Sequence, residues 1–520
     1  MYVLSWKAGA LFLVVLLACA LLAQAVPAQT ANVQDQKPQV PDQGTEQKPA
    51  SPGSGATQDQ EKPADKSVRP TQEQQPAPKE EVKITPQQAK ELFHTVDEIL
   101  AFDSKKTGLP IKHQVKRKLT SRDEVVGYLE KHTNDEDTKR LKRSELVLKK
   151  FGLLPRDFNL EKLLVDLLRE QVAGYYDPKT KTVNLLDWVP LEEQEPVMAH
   201  ELTHALQDQS VGLQKWMKKG EKDLAEVRKN PTPADIENDE IDNARQAIVE
   251  GQAEAVMLDY ALAPVGRSIE DSPELVKSME SEMVNGTSDS AVFKTAPIFL
   301  KEALTFPYSR GLEFVLKLMR TGGKEAAFAA VLKNPPHTTR QIMQPETYLS
   351  GEKIEPMPVA DFAGDFKNYE RFDIGAMGEF DVAVLIEQYA GLDLSKRLYP
   401  EWRGGYYYAG RPKGGDLATP LGLLYVSRWS SAEKASEFGM IYSRSLAQRY
   451  KHVVVTEDSD LPKTSGDRIV DHEESALHGK HVFQTEDGQI VIDEEGATVL
   501  VSESLDAATT ETLEKEVFGK

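Results

Sequence analysis

The sequence is almost devoid of cysteine. Cys19 is the only cysteine among 520 residues, and it lies in an apolar run near the N-terminus. A single cysteine cannot form an intrachain disulfide. If the N-terminal apolar run is removed by cleavage after Ala25 or Ala28, the mature chain has no thiol, which excludes a cysteine nucleophile and a thiolate metal site. Export without disulfides is more typical of a bacterial envelope than of a small eukaryotic secreted module.

Positive charge is outnumbered by negative charge. The chain has 63 Lys and Arg against 83 Asp and Glu, which gives a formal net charge of −20. Nucleic acids and anionic lipid surfaces bind proteins through clustered Lys and Arg. The acidic excess therefore argues against both as partners.

Large apolar side chains are absent from a long segment near the N-terminus. Residues 26–82 contain no aromatic residue, leucine or isoleucine and are dominated by Gln, Pro, Lys, Asp and Glu. Such a composition cannot bury enough apolar surface to offset the entropy lost on ordering. The sequence predicts a disordered Gln/Pro-rich linker over residues 26–84, and the rest of the chain is long enough for two folded domains.

Residues 1–25 have the pattern of a secretory signal peptide. Lys7 precedes the uninterrupted apolar run 8–23, and the small residues Ala23 and Ala25 occupy the positions typical of a cleavage site. The pattern predicts an exported protein that is periplasmic, associated with the cell envelope, or secreted. Two alternatives leave it tethered to a membrane: an uncleaved run that serves as an anchor, or lipidation of Cys19.

An H-E-x-x-H motif lies in the apolar helical stretch 197–209. On a helix, His200 and His204 are four residues apart and project from one face, where both imidazoles can bind one cation. Glu201 lies beside them and can take a proton from a metal-bound water. The alternative is a surface helix with two incidental histidines, but the apolar neighbours favour burial, and buried imidazoles need partners.

A downstream helix predicted over 239–261 offers a third metal ligand. Glu250 and Glu254 share one of its faces, and small residues such as Gly251 keep the helix slim enough for a close approach. Buried carboxylates are costly unless they are paired or metal-bound. We expect one of them to bind the metal and the other to accept the second N–H of a ligand histidine. The alternative is a solvated acidic face.

These motifs together resemble the gluzincin metallopeptidases, in which H-E-x-x-H is followed by a helix with E-x-x-A-[D/E]. The resemblance implies that Glu250 is the third zinc ligand and that Glu254 orients a ligand histidine. Many gluzincins have Asp at the second position, so the reverse assignment stays open. The segments 173–177, 200–209 and 306–308 are also similar to those of secreted bacterial metallopeptidase-like proteins, and this likeness covers about residues 110–355.

Further side chains are candidates for the substrate cleft. Gly174–Leu186 is predicted to form a hairpin whose Tyr175 and Tyr176 line the cleft or pack in the core. A peptidase also needs a donor for the developing oxyanion. Tyr308, Arg310 and His337 are candidates, and the sequence does not choose among them.

The predicted fold class is α+β. Residues 85–355 are expected to form a mainly helical, zincin-like catalytic domain with a small strand region. Residues 365–520 alternate strands and helices, which predicts a smaller α+β domain of unknown role. His472, His478 and His481 in that domain are expected to be solvent-exposed histidines and not a metal site.

The predicted activity is hydrolysis of a peptide or protein substrate with one zinc ion per chain, with Glu201 as general base. The main alternative is a non-catalytic envelope protein that keeps the scaffold for binding or assembly. A latent enzyme covered by another part of the chain is the third interpretation.

Overall fold

The computed structural model describes the folded part of the chain with several gaps. The described residues are 84–125, 127, 135–171, 174–189, 191–217, 236, 238–272, 274, 290–355, 357–416, 418–457 and 477–519. The predicted signal peptide, almost all of the predicted linker, and His472 lie outside these ranges. Within them, no helix is both long and apolar enough to cross a membrane.

The chain up to residue 350 is mostly helical. Its helices are α1 (Pro86–Thr107), α2 (Asp135–Phe151), α3 (Leu160–Gln171), α4 (Leu191–Val211), α5 (Leu213–Met217), α6 (Asn238–Leu262), α7 (Ala291–Thr295), α8 (Ile298–Glu325), α9 (Val331–Lys333), α10 (Thr339–Met343) and α11 (Pro345–Ser350). A 3-10 turn at Ala263–Val265 follows α6, and a π-helical turn at Ala326–Ala330 follows α8.

Local sequence determines where α1 begins and ends. Thr85 and Gln88 form a capping box, in which each side chain bonds to the other residue's main-chain N–H. Pro86 stands at the first helical position, where a missing N–H costs nothing. Gly108 closes the helix with a positive φ of 74°, a conformation that favours glycine.

A three-stranded sheet lies beside the helices. It contains β1 (Lys116–Thr120), β2 (Gly174–Asp177) and β3 (Thr182–Leu186) in the order β1-β3-β2, so β2 is an edge strand. β2 and β3 form the predicted antiparallel hairpin, whereas β1 pairs with β3 in parallel. The hairpin leads directly into α4, which places β2 next to the H-E-x-x-H segment.

The remainder of the chain forms one antiparallel sheet with helices packed on it. Its strands are β4 (Tyr369–Ala376), β5 (Trp402–Pro412), β6 (Gly422–Trp429), β7 (Val453–Glu457), β8 (Gly479–Thr485), β9 (Gly488–Glu495) and β10 (Thr498–Glu503). Its helices are α12 (Phe362–Asp365), α13 (Glu379–Ala390), α14 (Leu392–Leu398), α15 (Ala432–Arg449) and α16 (Ala507–Phe518). The seven strands are ordered β4-β5-β6-β10-β9-β8-β7.

The predicted mixed α+β class is confirmed, with a core that continues across the whole folded part. Buried residues from both sides of residue 360 belong to one cluster. Phe151 of α2, for example, packs edge-to-face on Tyr407 and Tyr425 of the large sheet, with ring centroids 5.6 and 5.5 Å apart. The division into domains 85–355 and 365–520 stays a prediction, and the described residues 84–519 group in one compact unit.

Helices α6 and α8 cross in main-chain contact. A methyl group on Gly251 would overlap the main chain of Gly311, and a methyl group on Gly311 would overlap the carbonyl of Ala247. Gly251 of α6 therefore allows close contact with α8. The sequence suggested that this small residue allows close contact with the H-E-x-x-H helix. Glu250 precedes this contact by one residue, so the crossing also positions Glu250.

We predict that Gly311→Ala lowers the free energy of unfolding by about 1–3 kcal/mol, because the main chains of α6 and α8 must separate to accept the methyl group. Denaturant unfolding followed by circular dichroism measures the change. Gly127→Ala is the matched control, since a methyl group there meets no atom of the described residues within 4 Å. It should leave stability unchanged or raise it by up to about 1 kcal/mol. Equal stability of the two variants would contradict the close crossing.

Candidate metal centre

The two histidines of the H-E-x-x-H motif lie on α4 and face the interior. The side chains of His200 and His204 are both 0% exposed, and their rings are 4.8 Å apart at 82°. Helical spacing alone brings them together, because residues i and i+4 lie on the same side of a helix. Their apolar neighbours on α4, such as Leu202 and Leu206, are buried as well.

Glu250 on α6 supplies a carboxylate to both imidazoles. Its Oε2 atom lies 3.1 Å from His200 Nε2 and 3.5 Å from His204 Nε2. Glu254, one turn later, places its Oε2 atom 3.7 Å from His200 Nδ1. The structure therefore brings both candidate acids of α6 to the histidines, Glu250 between the two Nε2 atoms and Glu254 at the other side of one ring.

A chain of side-chain amides fixes the tautomer of His204. The amide nitrogen of Gln252 faces the carbonyls of Ala327 and Phe328, at 2.7 and 3.1 Å, so it must donate to them. Its amide oxygen then accepts from Gln207 Nε2 at 2.9 Å. Gln207 Oε1 is thereby left to accept from His204 Nδ1 at 2.9 Å. His204 thus carries a proton on Nδ1 and directs Nε2 at Glu250.

Sequence reasoning missed both members of this relay. Gln207 follows His204 by three residues and Gln252 follows Glu250 by two, and each is completely buried. Glutamine is usually a surface residue, so its type carries no signal for a buried role. The position of Gln207, one helical turn after a ligand histidine and on the same face, is the sequence feature that could have indicated it.

The carboxylates of the centre lack cationic partners. Glu201, Glu250 and Glu254 are all 0% exposed, and no described Lys or Arg forms an ion pair with them. Glu201 Oε1, Glu250 Oε1 and both oxygens of Glu254 also have no hydrogen bond among the described residues. Burying so much negative charge is costly unless a cation or protons compensate it.

The pKa values reflect this burial. Burial raises the pKa of Glu201 to about 8, and burial together with the Glu250 carboxylate raises the pKa of Glu254 to about 8. Burial lowers the pKa of His200 to about 4. Burial alone would lower the pKa of His204 and raise that of Glu250, but their mutual attraction outweighs it, so the pKa of His204 is raised and that of Glu250 falls to about 2.

Glu201 points towards the edge strand β2. Its Oε2 atom accepts a hydrogen bond from the main-chain N–H of Tyr176 at 2.7 Å. β2 lies so close to α4 that a methyl group on Gly174 would be only 3.2 Å from the side chain of Val197. The hydroxyl of Tyr176 donates to Asp208 at 2.9 Å, which holds the strand on α4. Tyr175 and Tyr176 are both buried, and it is the main chain of Tyr176 that reaches Glu201.

The other predicted cleft residues divide into two groups. Tyr308 is buried on α8, and its ring centroid lies 6.3 Å from that of His200. Arg310 is two residues further on and thus points to a different side of α8, where it forms an ion pair with Glu313 at 2.8 Å. The main-chain N–H of His337 donates to Gln341 Oε1 at 2.7 Å. The contacts of Arg310 and His337 do not include the histidines of the centre.

The arrangement fits a divalent metal ion. One ligand atom from each of His200, His204 and Glu250 can be chosen so that all lie within 4.8 Å of one another. The two N–O distances of 3.1 and 3.5 Å are close to the separation of about 3.4 Å between ligand atoms of a tetrahedral site. These three buried side chains could therefore hold a metal ion.

Comparisons of the chain with protein-family models, with curated proteins and with solved structures found no match. The chemistry of the centre is therefore interpreted from its own residues.

We predict that Gln207→Leu weakens metal binding about ten- to a hundredfold, because His204 loses the acceptor that holds its ring and tautomer. Competition with a chromogenic zinc chelator measures the affinity. Gln209→Leu is the control on the same helix, since its amide oxygen accepts from the main-chain N–H groups of Lys112 and His113 at 2.6 and 2.8 Å, away from the centre. Equal metal affinities in the two variants would argue against the relay.

Proposed function

We propose that this protein is an exported, zinc-dependent hydrolase of peptide bonds. The observation that carries the proposal is the convergence of His200, His204 and Glu250, from two separate helices, on one small volume with Glu201 beside it. Two imidazoles and a carboxylate are a common ligand set of catalytic zinc. The H-E-x-x-H sequence and the downstream acids resemble gluzincins, and a zincin-like arrangement of α4, β2 and α6 belongs to this proposal.

The residues around the three ligands have separate tasks. Bound zinc supplies a Lewis acid that lowers the pKa of a water and polarises a carbonyl. Glu201 is held by the Tyr176 N–H through one oxygen, and its second oxygen has no hydrogen bond among the described residues. That second oxygen is available to take a proton from the attacking water and deliver it to the leaving amine. Glu254 lies 3.7 Å from His200 Nδ1 and is proposed to accept its proton once the metal draws the ring into place, and Gln207 orients His204.

Strand β2 is the proposed docking edge for the substrate. It has β3 on one side only, so an extended peptide can add to its other side by main-chain pairing. The bond from the Tyr176 N–H to Glu201 places this side of β2 next to the proposed base. Tyr308, which lies near His200, is the best placed of the three candidates to act on the oxyanion.

Complete burial of the centre favours a second interpretation. Because the ligand side chains and Glu201 are 0% exposed, a peptide reaches them only after the covering residues move apart. A metal that only stabilises the fold would need no such opening. The second candidate is therefore a non-catalytic envelope protein with a structural metal ion, although a structural site would not need Glu201 as a general base.

Glu201→Gln distinguishes the two functions. We predict that this variant binds one zinc ion per chain, as the unmodified protein does, and loses at least about a hundredfold in the rate of casein cleavage, because the amide cannot accept the proton. Metal analysis of the purified protein and release of labelled peptides measure the two quantities.

Glu195→Gln on the same helix is the matched control for the loss of one carboxylate, since Glu195 bonds Tyr260 outside the centre. It should cleave casein at the rate of the unmodified protein. Full cleavage by Glu201→Gln would refute its role as the base. Stoichiometric zinc without any cleavage by the unmodified protein would favour the structural metal.

The two acids of α6 are expected to respond differently to removal. Glu250→Ala should abolish stoichiometric zinc binding, because Glu250 is close to both Nε2 atoms. Glu254→Ala should weaken zinc binding about ten- to a hundredfold, as expected when only the orientation of a ligand histidine is lost. Zinc titration against a chelator tests both variants, and the opposite order would exchange the two roles.

A further inference from the structure

A second, positively charged site shares no residue with the candidate metal centre. A cleft of about 660 Å³ opens between the end of α2, the start of α8 and the large sheet with its helices. Five cationic side chains line it, and among the described residues Asp487 is the only acid that does so. The cations are Lys149, Lys150, Arg156, Arg411 and Arg449. This concentration is unexpected in a chain whose net charge is −20.

Two of these cations share a single carboxylate. Arg449 donates to both oxygens of Glu503 at 2.8 Å, and Lys150 Nζ lies 3.7 Å from Glu503. The side chains of Arg449 and Lys150 are only 4% and 8% exposed, so solvent screens them little. Burial lowers the pKa of Lys150, and repulsion from Arg449 and Arg156 adds to this effect. The group keeps one uncompensated positive charge.

Arg411 brings a second uncompensated charge. Its guanidinium donates to the main-chain carbonyl of Asp416 at 2.8 Å and lies over the ring of Phe372, and no carboxylate of the described residues forms an ion pair with it. In contrast, Lys149 is paired with Glu145 at 2.7 Å, and Arg156 is paired with Asp487 at 2.9 Å and lies 3.9 Å from Glu486. With these three carboxylates and Glu503 counted against the five cations, the cleft has an excess of about one positive charge.

A buried donor beside the cleft lacks a partner. Arg449 Nε has no hydrogen bond among the described residues, and the side chain is only 4% exposed. An unpartnered guanidinium N–H at such a depth costs free energy. Because the atom itself has no exposed surface, a ligand in the cleft would accept from it only after the side chain shifts. Other parts of the wall are apolar, including Leu153, Pro297 and Pro420. The cleft is thus suited to a ligand with an anionic head and a less polar body.

We propose that this cleft binds a soluble organic phosphate monoester. A phosphate monoester carries more than one negative charge at neutral pH, so it attracts several of these cations at once. Its oxygens accept several N–H groups at once, a geometry for which guanidinium is well suited. The volume falls within the 300–1,000 Å³ typical of small-ligand sites, so the ligand has an organic body and is not phosphate alone. The acidic surface elsewhere disfavours a membrane of anionic lipid as the source.

The first measurement is calorimetric titration of the full chain with phenyl phosphate and with glucose 6-phosphate. At least one should bind, and Arg411→Gln should weaken that binding about ten- to a hundredfold, the range expected for loss of a charged hydrogen bond. Arg156→Gln provides a second variant at the mouth of the cleft. Arg449 and Lys150 are left intact, because their contacts with Glu503 also hold the core together.

Arg428→Gln is the matched control. Arg428 is likewise held by main-chain carbonyls, among them that of Arg403 at 3.3 Å, and it does not line the cleft. The Arg428→Gln substitution removes one positive charge, as Arg411→Gln does, and should leave the affinity for the phosphate ester unchanged. Absence of binding to both phosphates, or an equal loss in Arg411→Gln and Arg428→Gln, would overturn the proposal.

Two further titrations identify the chemical class and the source. Benzoate has an aromatic body with a single charge, and binding tighter than that of phenyl phosphate would overturn the assignment to phosphate. Vesicles of phosphatidic acid present the same phosphate monoester on a lipid. Binding to these vesicles without binding to either soluble ester would overturn the soluble source, whereas binding to the soluble esters alone supports it. None of these readouts involves the metal centre or casein cleavage.

Discussion

The centre depends on the interaction between the unprotonated Nε2 atom of His204 and the buried carboxylate of Glu250. The amide relay leaves His204 Nε2 facing Glu250 Oε2 at 3.5 Å, and two acceptors cannot face each other there without a positive charge between them. A proton or a metal ion can supply that charge. Because Glu201 and Glu254 add further buried carboxyl groups, a divalent ion compensates the centre more completely than one proton does.

The same constraint explains why the supporting residues are so tightly held. Gln207 and Gln252 connect a ligand histidine to carbonyls of the π-helical turn after α8, where the main chain departs from regular α-helical bonding. Gly251 and Gly311 bring α6 and α8 into main-chain contact beside Glu250. The three candidate metal ligands are therefore positioned from α4 and α6, and both helices are tied to α8 and the turn that follows it.

The sequence predicted the features that depend on local spacing. The H-E-x-x-H helix, the hairpin before it and the alternation of strands and helices after residue 365 follow from periodicity and turn residues. Glu250 could be predicted as a candidate ligand because a carboxylate among apolar residues needs a partner. Strand β4 has no clear sequence signal, because Tyr369–Ala376 mixes charged and apolar residues and is stabilised by pairing with the distant strand β5. Gln207 and Gln252 were missed because their roles exist only after α4 and α6 have packed together.

Burial and catalysis impose opposite demands on this centre. Exclusion of water strengthens the interactions of Glu201 and the ligand histidines, since charges act more strongly at low dielectric constant. A peptide, however, must displace whatever covers them. The bond between Glu201 and the Tyr176 N–H links these two demands, because it joins the proposed base to the strand along which a peptide would add. Separation of β2 from α4 would therefore expose the base and break its only hydrogen bond among the described residues in the same movement. Under the proposed function, the movement that admits a peptide would also free the Glu201 oxygen that the Tyr176 N–H holds.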